Sequence, residues 1–225
     1  MKSPAFSLVE MLVTLAILTA LALLLLPGAS RMRDSSQSAQ CLSNMRQLGV
    51  GLLGYAADHD NAFPPGAHWD RDVINYLDVS GTTAPVRVLI CPSDPRPDVL
   101  PNGRFPRSYS ASAIKTADPT QGMFRGSETD LSRRLSEVLN PGQTIVLFEL
   151  FSNGSGTLLA NEQFNKNSFA WSHGYQAAGS IPRLPDGRYY HHQTMNYLFA
   201  DGHVAALPPK DVFTPPNLLW RAVKP

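Results

Sequence analysis

The segment from Phe6 to Leu26 constrains this chain more than any other part of its 225 residues. The segment is almost entirely apolar, and Glu10 carries its only charge. About 20 apolar residues are enough to cross a lipid bilayer as an α-helix. An ionised side chain near the centre of such a helix costs on the order of 2–3 kcal/mol, so an acidic residue inside it usually has a specific role. We therefore predict a transmembrane helix over residues 6–26, with Glu10 as a functional residue.

Two other interpretations of this segment remain open. In an ordinary signal anchor, Glu10 would lie at the level of the lipid headgroups. A cleaved secretory signal would end near residues 27–30, but such signals have an apolar core of about 7–15 residues, and this one is longer. The flanking charges do not fix the orientation, because Lys2 on one side is matched by Arg31 and Arg33 on the other.

A second helical pattern follows Pro27, a residue that membrane helices tolerate as a kink. Apolar residues recur at alternating spacings of four and three, which is typical of one helix face packed on a core. This face contains Cys41, Met45, Leu48, Leu52, Tyr55 and His59. We predict one helix from about Phe6 to about Ala57, in which residues 27–60 form an amphipathic continuation that packs on a sheet.

The rest of the chain, residues 61–225, is predicted to form one globular domain of the α+β class. Asp70–Leu77 has the pattern of a short helix. Runs rich in β-branched and aromatic residues predict an antiparallel sheet of about three to five strands. These runs are Val86–Ile90, Thr144–Leu150, Met195–Ala200 and His203–Leu207.

The turns and connections of this domain follow from Gly, Asn and Pro. Asp201-Gly202 separates the last two predicted strands, and this pair is favoured in two-residue type I′ hairpin turns. Two long segments rich in Gly, Asn, Ser and Pro, Pro92–Ala113 and Asn153–Arg188, are predicted to be connections. Connections of this length often carry function.

Charge and cysteine content limit the partners and the chemistry. The formal net charge is +1 and no run of Lys or Arg is present, so no nucleic-acid partner is expected. Cys41 and Cys91 are the only cysteines, and an oxidising compartment would permit one disulfide between helix and sheet. Two buried free thiols are the alternative. No nucleotide-binding loop is present, and no cofactor is predicted.

Three phrases of the sequence point to a family. They are Ala5–Glu10 behind the basic residue Lys2, Cys41–Gly49 with Cys91–Pro95, and His191 followed after nine residues by Asp201-Gly202. The first phrase resembles the class III signal of type IV pilins and type II secretion pseudopilins. The whole set is similar to prepilin-type proteins that carry an H-x9-D-G motif. Ala5 stands before the cut, where this family usually has Gly.

The resemblance implies how the N-terminus is processed and used. A prepilin peptidase would cut between Ala5 and Phe6, remove the leader of residues 1–5 and methylate the new amino group of Phe6. The helix would stay in the inner membrane as a single pass, with the C-terminal domain in the periplasm. In filaments of this family the buried Glu, here Glu10, pairs with the N-terminal ammonium of a neighbouring subunit. Such a pair offsets the lost hydration of the carboxylate.

The H-x9-D-G region offers side chains of the types that bind zinc. They are His191, His192, Asp201 and His203. A strand rises about 3.3 Å per residue, so His191 and Asp201 would lie roughly 30 Å apart in an extended segment. We therefore predict no metal site. Asp201-Gly202 is assigned to the turn, and His191 to a hydrogen bond or packing contact at the far end.

Glu149 is an acidic residue within an otherwise apolar predicted strand. A buried carboxylate can serve as a catalytic acid with a shifted pKa. Two simpler expectations for Glu149 are an arginine partner, such as Arg125 or Arg134, and placement at the end of a strand. No nucleophile elbow is present, and no catalytic residue is predicted.

Together these features predict a pilin-like α+β subunit with one long N-terminal helix and a C-terminal sheet. The expected function is structural, in a type II secretion or type IV pilus-like filament. The implied partners are prepilin peptidase, other pilin or pseudopilin subunits and the inner membrane. The alternative is a membrane-anchored periplasmic binding or enzymatic domain that has a prepilin-type anchor and does not polymerise.

Overall fold

A computed structural model describes residues 7–66, 69–77, 87–94, 108–112, 122–125, 131–149, 169–170, 191, 193–213, 219 and 222. The α-helices within these residues are α1 (Leu8–Asp58), α2 (Trp69–Ile74) and α3 (Pro209–Phe213). The strands are β1 (Tyr109–Ser112), β2 (Ile145–Glu149), β3 (Phe169–Ala170), β4 (Met195–Phe199) and β5 (Val204–Leu207). Short 3₁₀ helices occupy Arg87–Leu89, Leu135–Glu137 and Pro141–Gln143. The predicted α+β class is confirmed.

Helix α1 begins with a capping box formed by Ser7 and Glu10. The backbone N–H of Val9 donates to the Ser7 hydroxyl at 3.3 Å, and the backbone N–H of Ser7 donates to Glu10 Oε2 at 3.0 Å. These bonds satisfy N–H groups that have no partner inside the first turn of a helix. Glu10 therefore has a structural role within its own chain.

The length of α1 is close to the predicted one. The helix continues through Pro27 and ends at Asp58, with His59 as its C-cap. The N–H groups of His59 and Asn61 both donate to the carbonyl of Ala56, at 3.1 and 2.8 Å. Asp60 and Asn61 have φ values of 50° and 59°, in the left-handed region, and this conformation turns the chain out of the helix.

The first part of α1 is exposed on all sides. Every residue from Ser7 to Leu21 is exposed, and the large apolar residues among them range from 51% exposed at Val13 to 75% exposed at Leu8. Among the residues that the structure describes, no helix is both long enough and apolar enough to cross a membrane. The predicted span of residues 6–26 therefore stays a prediction.

The second part of α1 carries the predicted apolar stripe, and the structure confirms it. Cys41, Met45 and Leu48 are fully buried, and Leu52 is 1% exposed. Arg46 and its neighbour Gln47, outside the stripe, are exposed. Helix α1 packs against α2, β4, β5 and the 3₁₀ helix Arg87–Leu89. This part of α1 is therefore built into the core of the domain.

Glycine allows α1 to approach α2 closely. A Cβ atom added to Gly51 would lie 2.6 Å from Val73 Cγ1 and 3.2 Å from the carbonyl oxygen of Val73. A real Cβ atom does not fit at these distances without movement of a β-branched side chain and of backbone. The predicted short helix in Asp70–Leu77 is confirmed as α2, and Gly51 sets its distance from α1.

The five strands form one sheet in the order β3-β1-β2-β4-β5. The pairs β1–β2, β2–β4 and β4–β5 are antiparallel, as predicted, whereas β3 runs parallel to β1. Every residue of β1, β2 and β4 is buried. Since side chains alternate between the two faces of a strand, both faces of the central strands are covered.

Two predictions about strands were wrong. Val86–Ile90 was expected to be a strand, but its described residues form the 3₁₀ helix Arg87–Leu89. The carbonyls of Arg87 and Ile90 accept hydrogen bonds from Asn44 Nδ2 of α1, at 3.3 and 2.9 Å, so they are not available for a sheet ladder. The two segments expected to be connections, Pro92–Ala113 and Asn153–Arg188, contain β1 and β3 respectively.

The β4–β5 hairpin is confirmed, but its turn is not type I′. The N–H of Gly202 donates to the carbonyl of Phe199, and the N–H of Phe199 donates to the carbonyl of His203, both at 2.9 Å. Ala200 and Asp201 are therefore the central residues of the turn. Type I′ requires a positive φ at both central residues, but only Gly202, at 90°, has one here. Gly202 occupies the left-handed position that follows the turn.

Candidate functional site

A buried disulfide connects α1 to the domain. Cys41 lies on the buried stripe of α1, and Cys91 follows the 3₁₀ helix Arg87–Leu89. Their Cα atoms are 4.8 Å apart, within the range that a disulfide requires, and neither side chain is exposed. The hydrogen bonds from Asn44 to the same 3₁₀ segment hold Cys91 beside the helix. The sequence left a disulfide and two free thiols open, and the structure has the disulfide.

Hydrogen bonds fix the backbone on both sides of the disulfide. The Tyr109 hydroxyl donates to the carbonyl of Cys41 at 3.2 Å. The N–H of Cys91 donates to the Ser108 hydroxyl at 2.9 Å, and this hydroxyl donates to Asp94 Oδ2 at 2.6 Å. Burial, followed by the negative charge of Glu149, raises the pKa of Tyr109 well above its ordinary value. Tyr109 therefore remains a hydrogen-bond donor at physiological pH.

Glu149 is a fully buried carboxylate with three hydrogen-bonding contacts. Its Oε1 lies 2.9 Å from His191 Nε2 and accepts from Asn196 Nδ2 at 2.8 Å. Its Oε2 accepts from the backbone N–H of Asn196 at 2.7 Å. His191 is 4% exposed and Asn196 is 1% exposed. A carboxylate this deep in the protein is tolerable only because such contacts replace its hydration.

The expected arginine partner of Glu149 was wrong, whereas its expected placement at a strand end is confirmed, because Glu149 is the last residue of β2. The described contacts of the carboxylate are with His191 and Asn196. Arg125 and Arg134 lie elsewhere: the N–H of Arg125 bonds to Ser132, and Arg134 precedes the 3₁₀ helix Leu135–Glu137. The pairing of β2 with β4 decides this outcome, because it brings the end of β2 beside the start of β4.

A tight turn brings His191 to the same place. The N–H of His191 donates to the carbonyl of Thr194 at 3.2 Å, and the N–H of Thr194 donates to the carbonyl of His191 at 2.9 Å. Between them Gln193 has a φ of 83°, in the left-handed region. The turn directly precedes β4, so the imidazole meets Glu149 at the end of β2. His191 thus has the hydrogen bond that the sequence assigned to it.

The disulfide and the Glu149–His191 pair form one cluster. Cys91 Sγ lies 3.6 Å from His191 Nε2. Single ligand atoms of Cys41, Cys91, Glu149 and His191 all lie within 4.8 Å of one another, and all four residues are buried. We call these four residues the buried cluster. No metal site was predicted from the sequence, but the fold places four side chains of zinc-binding types together.

The described side chains of the H-x9-D-G region that could bind zinc do not all lie together. His191 lies before β4, whereas Asp201 and His203 lie at the opposite end of β4, in the hairpin. His192 is outside the described residues. The motif therefore marks the two ends of one strand.

The buried cluster is not arranged as a nucleophilic relay. In a Cys-His-acid triad, one imidazole nitrogen faces the thiol and the other faces the acid. Here the same atom, His191 Nε2, is near both Cys91 Sγ and Glu149 Oε1. Cys91 is also bonded to Cys41. The geometry suits structural pairing or metal coordination.

Asp201 and His203 form an exposed pair in the hairpin turn. Asp201 Oδ1 lies 2.6 Å from His203 Nδ1 and accepts the backbone N–H of His203 at 3.1 Å. The His203 ring stacks on Phe199 at 4.3 Å between centroids. Partial burial alone would raise the pKa of Asp201, but the hydrogen bonds and charge of His203 outweigh it and lower that pKa.

The N-terminal processing residues are only partly described. Ala5 and Phe6, the predicted cleavage and methylation site, lie outside the described residues. Glu10, the predicted assembly residue, is exposed and accepts the N–H of Ser7.

Asn196 was not predicted from the sequence, and Glu149 was given the wrong partner. The sequence indicated that both residues are unusual, but it did not show that they are partners. Glu149 is the only charged residue in β2, and Asn196 is the only amide in the apolar run of β4. A polar residue in each of two buried strands indicates that the strands pair through these residues, but it does not give the register.

Comparison with known proteins gives no match. No family model matches the sequence, and no curated protein and no solved structure is significantly similar to it. The resemblance to prepilins therefore depends on the residues of this chain alone.

Proposed function

We propose that this chain is a pseudopilin-like or minor-pilin-like structural subunit. A prepilin peptidase processes it between Ala5 and Phe6. The N-terminal part of α1 then anchors it in the inner membrane and joins other subunits in a type II secretion or type IV pilus-like filament. The observation that carries the proposal is the continuity of α1: an apolar, exposed first part is joined without a break to a second part that is built into an α+β domain.

The exposed surface of the first part supports a non-aqueous environment. Nine large apolar side chains in this part are more than half exposed. They are Leu8, Val9, Met11, Leu12, Val13, Leu15, Ile17, Leu18 and Leu21. Burying one such side chain contributes about 1.5–3 kcal/mol. A helix that is apolar on all sides is stable in lipid or among other helices, and a filament subunit meets both environments.

Glu10 supports the assembly step. Its capping bond to Ser7 uses one carboxylate oxygen, and a carboxylate accepts through both of its oxygens. The second oxygen can therefore accept the N-terminal ammonium of a neighbouring subunit. Cleavage before Phe6 would create this ammonium within one turn of Glu10, so the donor and the acceptor would lie at the same level of a helical bundle.

A pair of substitutions at Glu10 tests whether its charge or its capping bond matters. A Gln side chain also completes a capping box, so Glu10→Gln keeps the cap and removes the charge, whereas Glu10→Ala removes both. We expect both variants to enter the membrane and both to be absent from sheared filaments and from cross-linked multimers. Ser7→Ala, which removes the capping hydroxyl and keeps the charge, should still assemble.

The opposite pattern would refute the proposed role of Glu10. If Glu10→Gln assembles like the wild type, the carboxylate acts as a cap and does not pair with a neighbour. If the wild-type chain forms no multimers when the prepilin peptidase is present, the chain is an anchored domain that does not polymerise.

The mass of the mature N-terminus tests the processing step. We expect a chain that begins at N-methylated Phe6. Ala5→Gly, which restores the residue usual in the family, should increase the processed fraction. A mature chain that begins at Arg31 would show that the helix is discarded and would exclude the proposal.

A further inference from the structure

Two atoms of the buried cluster, Cys91 Sγ and His191 Nε2, have the separation expected of two ligands in a tetrahedral zinc site. Zn–S bonds of about 2.3 Å and Zn–N bonds of about 2.0–2.1 Å, at a tetrahedral angle, place the sulfur and nitrogen ligands roughly 3.5–3.6 Å apart. The distance from Cys91 Sγ to His191 Nε2 is 3.6 Å. Glu149 Oε1, 2.9 Å from the same nitrogen, needs to move by about half an ångström to reach the separation of two zinc ligands.

The residues around the cluster support ligand binding. Asn196 holds both oxygens of the Glu149 carboxylate, through its side chain and its backbone N–H. The turn with Thr194 fixes the position of His191. Outer hydrogen bonds of this kind orient metal ligands and strengthen metal binding. The side chains that would bind the metal are thus already positioned by other contacts.

We propose that Cys41, Cys91, His191 and Glu149 bind one Zn²⁺ ion when the disulfide is reduced, and that the disulfide and the metal exclude each other. Zinc is bound by thiolates, and the disulfide removes both. The oxidised chain therefore offers only two ligands, His191 and Glu149. This inference does not depend on the proposed filament function.

A phosphine can reduce the disulfide and so prepare the chain for zinc binding. The phosphine and one water molecule convert the Cys41–Cys91 bond into two thiols, and the phosphine becomes its oxide. Zn²⁺ then displaces the two thiol protons, and two thiolates, one carboxylate and a neutral imidazole complete its coordination. The two sulfur atoms must separate to about 3.8 Å, and rotation of the cysteine side chains can supply this movement.

The metal would preserve the same connection that the disulfide makes. Cys41 belongs to α1, Glu149 belongs to β2, and His191 precedes β4. A zinc ion held by these residues links the helix to the sheet under reducing conditions, as the disulfide links them under oxidising ones. Each state thereby joins the exposed part of α1 to a folded domain.

Cobalt titration of the full-length chain in detergent tests the site. Co²⁺ serves as the probe because thiolate ligands give an intense charge-transfer band in the near ultraviolet and tetrahedral geometry gives strong visible bands. We expect the phosphine-reduced chain to bind one equivalent of Co²⁺ with both signals, and Zn²⁺ to remove them. The oxidised chain should give neither signal.

Three variants and one matched control assign the ligands. Cys91→Ser should halve the charge-transfer intensity, because one of two metal–sulfur bonds is lost, and His191→Gln should weaken binding and change the visible bands. Asn196→Ala, which removes an outer hydrogen bond, should weaken binding by roughly 10–100-fold. His203→Gln removes an imidazole outside the cluster, so this variant should bind Co²⁺ as the wild type does.

Circular dichroism of the same samples shows whether the chain loses structure when the disulfide is reduced. A reduced chain that unfolds and regains its spectrum with one equivalent of Zn²⁺ supports the proposal, since a structural zinc ion stabilises the fold that binds it. A reduced chain that shows no cobalt signal overturns the proposal, whether it stays folded or unfolds and is not restored by metal. A cobalt signal unchanged in His191→Gln overturns it as well, because the thiols alone would then account for binding.

Discussion

The two parts of α1 share one backbone conformation but differ in their surroundings. From Ser7 to Leu21 every residue is exposed, whereas Cys41, Met45 and Leu48 in the second part have no exposed surface. Backbone hydrogen bonds and the capping box form the helix in both parts. Apolar burial within the described chain stabilises only the second part. Helix formation and tertiary stability are therefore separate properties along α1.

This difference assigns a different source of stability to each part. The second part depends on contacts inside the chain, so its substitutions change the free energy of unfolding of the isolated protein. Under the proposed function the first part is stabilised by lipid or by neighbouring subunits, so its substitutions are expected to change insertion and assembly. The predictions below test this division, beginning with the largest expected effect.

The same substitution should strongly lower the free energy of unfolding in the second part of α1 and hardly change it in the first. Leu48→Ala leaves a cavity in the core and should lower the free energy of unfolding by about 2–5 kcal/mol. Leu15→Ala, at a side chain that is 63% exposed, should change it by less than about 0.5 kcal/mol. Denaturant unfolding in detergent, followed by fluorescence that includes the buried Trp69, measures both.

Equal losses in Leu48→Ala and Leu15→Ala would contradict the division of α1. They would show that the first part packs on the domain. A matched control is Leu18→Ala, a second exposed leucine of the first part, which should behave like Leu15→Ala.

The disulfide should give the next largest effect. Cys41 and Cys91 are separated by 50 residues, so their bond removes much of the freedom of the unfolded chain. Replacing both by Ser should lower the free energy of unfolding by about 2–4 kcal/mol in metal-free buffer. Unfolding of wild type and variant without reductant measures the difference. An unchanged free energy would mean that the hydrogen bonds of Asn44 and Tyr109 hold the helix to the domain without the disulfide.

The buried stripe and the hairpin were predictable because their signals are local. A spacing of four and three residues places Cys41, Met45 and Leu48 on one helix face whatever the rest of the chain does. Runs rich in β-branched and aromatic residues, with a Gly at the turn between them, likewise identify β4 and β5. The turn type was missed because Gly202 can serve either inside a two-residue turn or just after a longer one.

The buried cluster was not predictable because it depends on the order of the strands. Cys41, Cys91, Glu149 and His191 are far apart in sequence, and they meet only because β2 pairs with β4 and α1 lies on the same core. Strand β1, which places Tyr109 beside the disulfide, lies within a segment rich in Pro and Ser that resembles a connection. Its burial in the centre of the sheet outweighs its weak local preference for a strand.

The close approach of α1 and α2 predicts a smaller effect at Gly51. Gly51→Ala places Cβ against Val73 Cγ1 and its carbonyl, and overpacking of this kind costs about 1–3 kcal/mol. The higher helix propensity of Ala returns up to about 1 kcal/mol, so a net loss of roughly 1–2 kcal/mol is expected. Gly49→Ala, whose Cβ meets the end of the flexible Leu198 side chain, should lose less. A larger loss at Gly49 than at Gly51 would contradict this account of the packing.

The smallest effect is expected at the exposed pair of Asp201 and His203 in the hairpin. The pKa of Asp201 is lowered in the folded chain. Its stabilisation is therefore fully present above the pKa of an unfolded Asp, about 4, and is lost as the pH falls through the lower folded value. Both side chains are more than two-fifths exposed, so solvent screening limits the contribution to a few tenths of a kcal/mol, roughly that of a surface pair.

The melting temperatures of wild type and Asp201→Asn, compared between pH 6 and pH 2, should differ slightly at the upper end and converge at the lower end. A difference that grows as the pH falls would contradict the lowered pKa, because it would require the protonated carboxyl group to be the form that stabilises the hairpin.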